Sequence, residues 1–315
     1  MLTALTALLA AAAAVSVGAL QGERPGEVAA PQTPDLPKGP PPLTLDLGVR
    51  ADAEARDLRR AERLYAGGSR GRARRVFTRH DSLEARVGAA FSGWPDGTLD
   101  RVSRLAGLHP RSALVQLHLG IAQAWSGVGD ARQAWRSAAD AEPDTAYAVV
   151  AGNLLHPGFA RGLPVYVPAA ELPVGFERLA SQAQLERLER DARGSVDGKL
   201  LYGTALQRLA RPVSAAKVFT TAARQARDDV EAQVAAAVGR FDKARPAEAF
   251  SRLGPLTRRF PEHATVRFHL GLLLLWSGQV REAKRQLRLA SRVEPGSIHA
   301  REAGRYLEEL RAAGI

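Results

Sequence analysis

Seven histidines and no cysteine set the limits of the chemistry this chain could perform. His80, His109, His118, His156, His263, His269 and His299 are scattered, and none stands in the His-Glu-x-x-His spacing that puts two metal ligands and a base on one helical face. His299 and Glu302 lie three residues apart, which would suit two ligands on a helix, but no third ligand accompanies them. A solvated helix face is the simpler expectation. No Gly-x-Ser-x-Gly nucleophile turn and no Gly-rich loop before Lys-Ser/Thr occurs. The one enzymatic reading left would use the stretch around His156 as an active-site loop. The expectation is therefore a non-enzyme without metal, cofactor or small-molecule substrate.

The elements that must carry these residues are helical. Ala, Leu and Arg dominate the 315 residues, and stretches rich in Val, Ile, Thr and aromatics are few. The length allows one large or two ordinary domains. The net charge of +11 comes almost wholly from Arg, with Lys only at 38, 199, 217, 243 and 284. Such a balance can mark a nucleic-acid or anionic-polymer binder, which stands as the alternative function. The interleaving of Arg224 and Arg227 with Asp228, Asp229 and Glu231 instead reads as a solvated mixed-charge face, so nucleic acid is not the expected partner.

Three blocks in the C-terminal third repeat every 34 residues. Ala215, Ala249 and Ala283 form one column; Phe219, Leu253 and Leu287 the next; then Ala222, Leu256 and Ala290, with Gly203, Ala237 and Gly271 upstream. Small residues at fixed offsets in such a period predict stacked helix–turn–helix units, an all-α solenoid. Nearer the N-terminus, helical spacing of Leu58, Ala61, Leu64 and Tyr65 precedes a break at Gly67-Gly68, and looser pairs follow to Pro143. The sequence His118-Leu119-Gly120 … Trp125-Ser126-Gly127 recurs as His269-Leu270-Gly271 … Trp276-Ser277-Gly278. That recurrence predicts a packing or helix-capping role for the two histidines. It also predicts partly buried stacking for the two tryptophans rather than a binding role for Trp94, Trp125, Trp135 and Trp276.

The block Leu270-Gly271, Trp276, Gly278, Ala283, Leu287, Ala290, Pro295 resembles the tetratricopeptide repeat. The preceding blocks match through Tyr202-Gly203, Ala215, Phe219 and Ala222, and through Ala237, Ala249, Leu253, Leu256 and Pro261. The resemblance covers most of 51–145 and 196–313, with Ile298 to Ala313 as the expected capping helix. It implies that the first helix of each unit lines a concave groove for a protein or peptide partner. Carried over from the Leu-Gly column, the groove positions are Leu200, Thr204 and Gln207, then Val234, Val238 and Phe241, then Phe268, Leu272 and Leu275. That mostly apolar surface suits an extended peptide or amphipathic helix. Equally, these side chains could pack against neighbouring helices, or against the 146–195 segment lying in the groove.

Residues 1–20 are an uncharged apolar run and predict a signal peptide or membrane anchor, hence an envelope or secreted location and membrane association. Residues 21–50 hold seven prolines and predict an extended linker. The expected organisation continues with a degenerate array over 51–145, an irregular insertion plus helix over 146–195, where Pro164, Pro168 and Pro173 surround Val165-Tyr166-Val167, and a second array over 196–315.

Overall fold

The computed structural model describes residues 39–315; the expectation of a signal or anchor in 1–20, and most of the predicted linker, lies outside them. Among the described residues the fold is all-α, a succession of fifteen α-helices and one 3-10 turn with no strand. Contacts divide it into two units at Leu155/His156. None of the helices is long and apolar enough to cross a membrane.

The N-terminal unit holds α1 (Ala53–Ala66), α2 (Arg70–Phe77), α3 (Leu83–Phe91), α4 (Thr98–Leu108), α5 (Ala113–Ser126), α6 (Ala131–Ala141) and α7 (Ala146–Leu155). The C-terminal unit holds α8 (Ser181–Gly194), α9 (Val196–Arg208), α10 (Pro212–Gln225), α11 (Val230–Val238), α12 (Ala247–Arg259), α13 (Ala264–Trp276), α14 (Val280–Val293) and α15 (Ile298–Ala312). Each unit thus has three helix pairs and a closing helix, α7 or α15; in the C-terminal unit α8 packs on α9. Beyond sequential contacts, α1, α3, α5 and α7 touch in succession, as do α9, α11, α13 and α15, so the odd-numbered helices form the inner layer of each unit.

Local chemistry explains the boundaries. The side chains of Asp52, Ser82, Asp130, Ser195, Asp229 and Ser297 each accept an N–H at a helix start. Gly127 and Gly278 end the duplicated Trp-Ser-Gly helices with φ of 68° and 73°, a left-handed geometry that costs glycine nothing. The 34-residue columns are the contact surfaces of the pairs. Ala215, Ala249 and Ala283 are buried on α10, α12 and α14, as are Phe219, Leu253 and Leu287. A Cβ on Gly203 would sit 2.4 Å from the Phe219 ring, so this column stays small because two helices touch there.

Two stretches differ from the sequence expectation. Residues 146–155, read as the start of an irregular insertion, form α7. Its run Ala-Tyr-Ala-Val-Val-Ala-Gly-Asn-Leu-Leu has no polar stripe, so hydrophobic periodicity gave no signal. The helix expected within 146–195 is α8, which begins at Ser181 after a 3-10 turn at Phe176–Arg178. The last residues of the predicted linker are also packed, since Leu45 and Leu47 are buried in the N-terminal core.

Candidate functional site

In the C-terminal unit a segment, residues 159–168, extended over 163–168, lies along the inner layer, and side chains of successive inner helices hold its backbone. On α9, Gln207 donates through Nε2 to the Pro164 carbonyl (3.4 Å) and accepts the Tyr166 N–H at Oε1 (2.8 Å), while Thr204 Oγ1 reaches the Tyr166 carbonyl (3.4 Å). On α13, His269 Nε2 accepts the Val167 N–H (3.0 Å), and on α15 His299 Nε2 donates to the Val167 carbonyl (2.8 Å). Lys243 Nζ donates to the Ala160 carbonyl (2.7 Å), and burial pushes its ammonium down to about 8. Tyr166 is the side-chain anchor. Its 0% exposed ring stacks on His269, with Phe219 edge-on, and its hydroxyl donates to Glu231 at the start of α11. Burial, reinforced by the Glu231 carboxylate, raises the Tyr166 phenol well above its usual range and keeps it a donor.

The N-terminal unit holds its own segment the same way. Residues 39–47 run extended before α1. Tyr65 Oη donates to the Pro41 carbonyl (2.6 Å), Glu62 accepts the Leu45 N–H (3.0 Å), His118 Nε2 accepts the Thr44 N–H (3.3 Å) and Tyr147 Oη accepts the Asp46 N–H (2.9 Å). The two arrangements correspond at several positions. Gly39, Pro41, Leu43 and Thr44 match Gly162, Pro164, Tyr166 and Val167. Each proline carbonyl is bound from the first inner helix, and each N–H three residues on goes to a histidine on the third. Tyr147 and His299 are each the second residue of the closing helix. Both glycines have positive φ, 135° and 73°. Even the helix starts agree, with Glu142 Oε2 accepting the Ala113 N–H (2.6 Å) and Glu294 Oε2 that of Ala264 (2.9 Å).

The histidine chemistry follows from burial. His118 Nδ1 faces the Leu114 carbonyl at 2.8 Å and His269 Nδ1 the Thr265 carbonyl at 2.7 Å, so each Nδ1 carries the proton and each Nε2 is free to accept an amide. Burial lowers His118 to about 4, and burial together with His299 lowers His269 well below the usual value. Both rings are therefore neutral acceptors at neutral pH. The predicted packing role captures only their Nδ1 side.

Of the nine predicted groove positions, Thr204 and Gln207 bond the segment's backbone and Phe241 meets the Phe159 ring. Leu200, Thr204, Val234, Val238, Phe241, Phe268, Leu272 and Leu275 are buried and Gln207 half-buried. Six clamp residues escaped sequence reasoning: Glu62, Tyr65, Tyr147, Glu231, His299 and Lys243. The only available signal was the shared Gly-x-Pro ahead of each helical block. Of the tryptophans, Trp135 and Trp276 are buried and Trp94 and Trp125 half-buried. Glu302 pairs with Arg305, away from the His299 ring nitrogen that binds the segment, and no group of three metal-ligating side chains occurs among the described residues.

Beyond Pro168 the segment leaves the inner layer and borders an open cleft of about 760 Å³. Leu172, Val230, Glu231, Ile298, His299 and Arg301 line it, at the N-terminal ends of α11 and α15. Leu172 is an exposed apolar side chain, as are Val174 and Leu179 further along the chain. Compared with models of known families and with curated proteins, the chain matches none.

Proposed function

We propose that this chain is a non-enzymatic interaction scaffold of the tetratricopeptide type, held at the cell envelope by its N-terminal segment and binding segments of partner proteins. One observation carries the reading: in both units, side chains on the inner helices bind the N–H and C=O groups of an extended chain. A surface that satisfies backbone groups accepts peptide with limited regard to side chains, as in other strand-binding grooves. The 34-residue columns and the small residues at helix contacts support the repeat assignment. Because its own segment bonds Thr204 and Gln207 and the other groove positions are buried, a partner meets the C-terminal unit first at the cleft beside Leu172 and Arg301.

The test is a photo-crosslinker placed in cells at Leu172 and, separately, at Arg301, with Arg292 on α14 as a control site. The expected outcome is one and the same protein captured from the first two positions and not from the third. Capture of nucleic acid instead, with affinity falling steeply between low and physiological salt, would favour the anionic-polymer reading and sink this one. Membrane fractionation of the full chain tests the location.

A further inference from the structure

We propose that residues 39–48 are a displaceable built-in ligand of the N-terminal unit, and that the displacing partner is an extended segment of another protein with the pattern Gly-x-Pro-x-(large apolar), followed by a residue with a free N–H. The proposal rests on the scaffold reading above and specifies its partner.

The pattern comes from two different sequences in equivalent clamps. Gly39-Pro40-Pro41-Pro42-Leu43-Thr44 and Gly162-Leu163-Pro164-Val165-Tyr166-Val167 share the glycine at positive φ, the bound proline carbonyl, the large apolar residue two places on and the amide given to histidine. Leucine replaces tyrosine and threonine replaces valine while the bonds at the proline carbonyl and at the amide three residues on are kept. The clamp therefore reads the main chain and the proline-set extended conformation, and it tolerates changed side chains.

The two segments differ in how firmly they are held. Residues 159–168 lie between α7 and α8 in the chain, and Tyr166 is enclosed by Phe219 and His269 with its hydroxyl on Glu231. Residues 39–48 precede every described helix, so they can peel away from one end without drawing a helix with them. At the position matching Tyr166 stands Leu43, only half-buried. The polar hold includes four side-chain bonds to main-chain groups of residues 41–46, and Arg59 on the Gly48 carbonyl at 3.0 Å. Once the segment leaves, Glu62, Tyr65, His118 and Tyr147 present the same donors and acceptors to any chain of the same pattern.

The probe is a fluorescein-labelled peptide with the sequence of residues 39–48, titrated by anisotropy against the full chain and its Thr44→Pro variant, which lacks the amide donated to His118. The variant should bind the peptide at least about tenfold tighter than the unmodified chain, because the competing internal segment lowers apparent affinity in proportion to its occupancy. A peptide with proline at the Thr44 position should not bind. A variant that keeps its helical circular dichroism yet binds no peptide overturns the proposal. So does strap exchange between copies, seen as a dimer by sedimentation, without peptide binding. Hydrogen exchange on the unmodified chain decides independently if Thr44→Pro does not fold. The amides of Thr44, Leu45 and Asp46 should exchange by local opening, faster than those of α5; exchange at one common rate overturns the idea. Failure here leaves capture from Leu172 and Arg301 as the separate arbiter of the scaffold reading.

Discussion

His118 and His269 each do two things with one ring: Nδ1 ties the ring to its own helix and Nε2 receives a distant amide. Replacing His118 by Phe keeps the edge-on contact with Phe91 but strands the Thr44 N–H, at a cost of about 1–3 kcal/mol. Thermal denaturation should show it as a lowered Tm in the N-terminal unit. Acid should have a related effect. The folded His118 pKa of about 4 lies below the unfolded value of 6.5, so on acidification the unfolded chain takes the proton first. The stabilisation is complete above pH 6.5 and is lost as the pH falls toward 4; at pH 5 the loss is about 2 kcal/mol for this one ring. His118 is walled by Phe91, Tyr147 and the Leu114 carbonyl, with no carboxylate in contact to offset the shift. Melts at pH 7 and pH 5 should differ less for His118→Phe than for the unmodified chain; an equal difference would refute the assignment.

At the scale of elements, the helix pairs were legible and the extended segments were not. The alanine columns recur because every pair must close at the same spot, and a period of 34 residues survives any change of partner. An extended segment has no helical period, and its bonds join residues far apart in the chain, Asp46 to Tyr147 and Val167 to His269. No local pattern could announce them. Residues 159–168, within the 146–195 stretch, bond the expected groove positions Thr204 and Gln207. The two segments should contribute unequally. Tyr166→Ala empties a fully enclosed site and should destabilise the C-terminal unit by about 3–5 kcal/mol. Leu45→Ala and Leu47→Ala should each cost the N-terminal unit less, about 2–3 kcal/mol, since the segment can shift into the vacated space. Urea titrations followed by circular dichroism of each variant measure both.

At the scale of the molecule, two units carry one design, each an extended segment, three helix pairs and a closing helix, with α8 added in the C-terminal unit. The charge surplus is spread over helix faces, where Arg187–Asp191, Arg193–Glu189 and Arg285–Glu282 pair within single helices and contribute little each. Raising the salt concentration should therefore leave the Tm nearly unchanged, which thermal scans at low and high salt would check. The stretch between Pro168 and α8 is the exposed joint, with the Arg178 side chain 86% accessible and Val174 fully so. Brief trypsin treatment should cut first after Arg178, and mass spectrometry of the fragments would show it. Residues 39–47 also give the molecule a mechanical character. A pull applied through the chain before Gly39 reaches the Tyr65–Pro41 bond first, then the bonds of Thr44, Leu45 and Asp46 one after another, before it reaches the start of α1. Bonds loaded in sequence give way at far lower force than bonds loaded together, so tension from the N-terminal side would bare the inner face of the first unit while its helices stay folded.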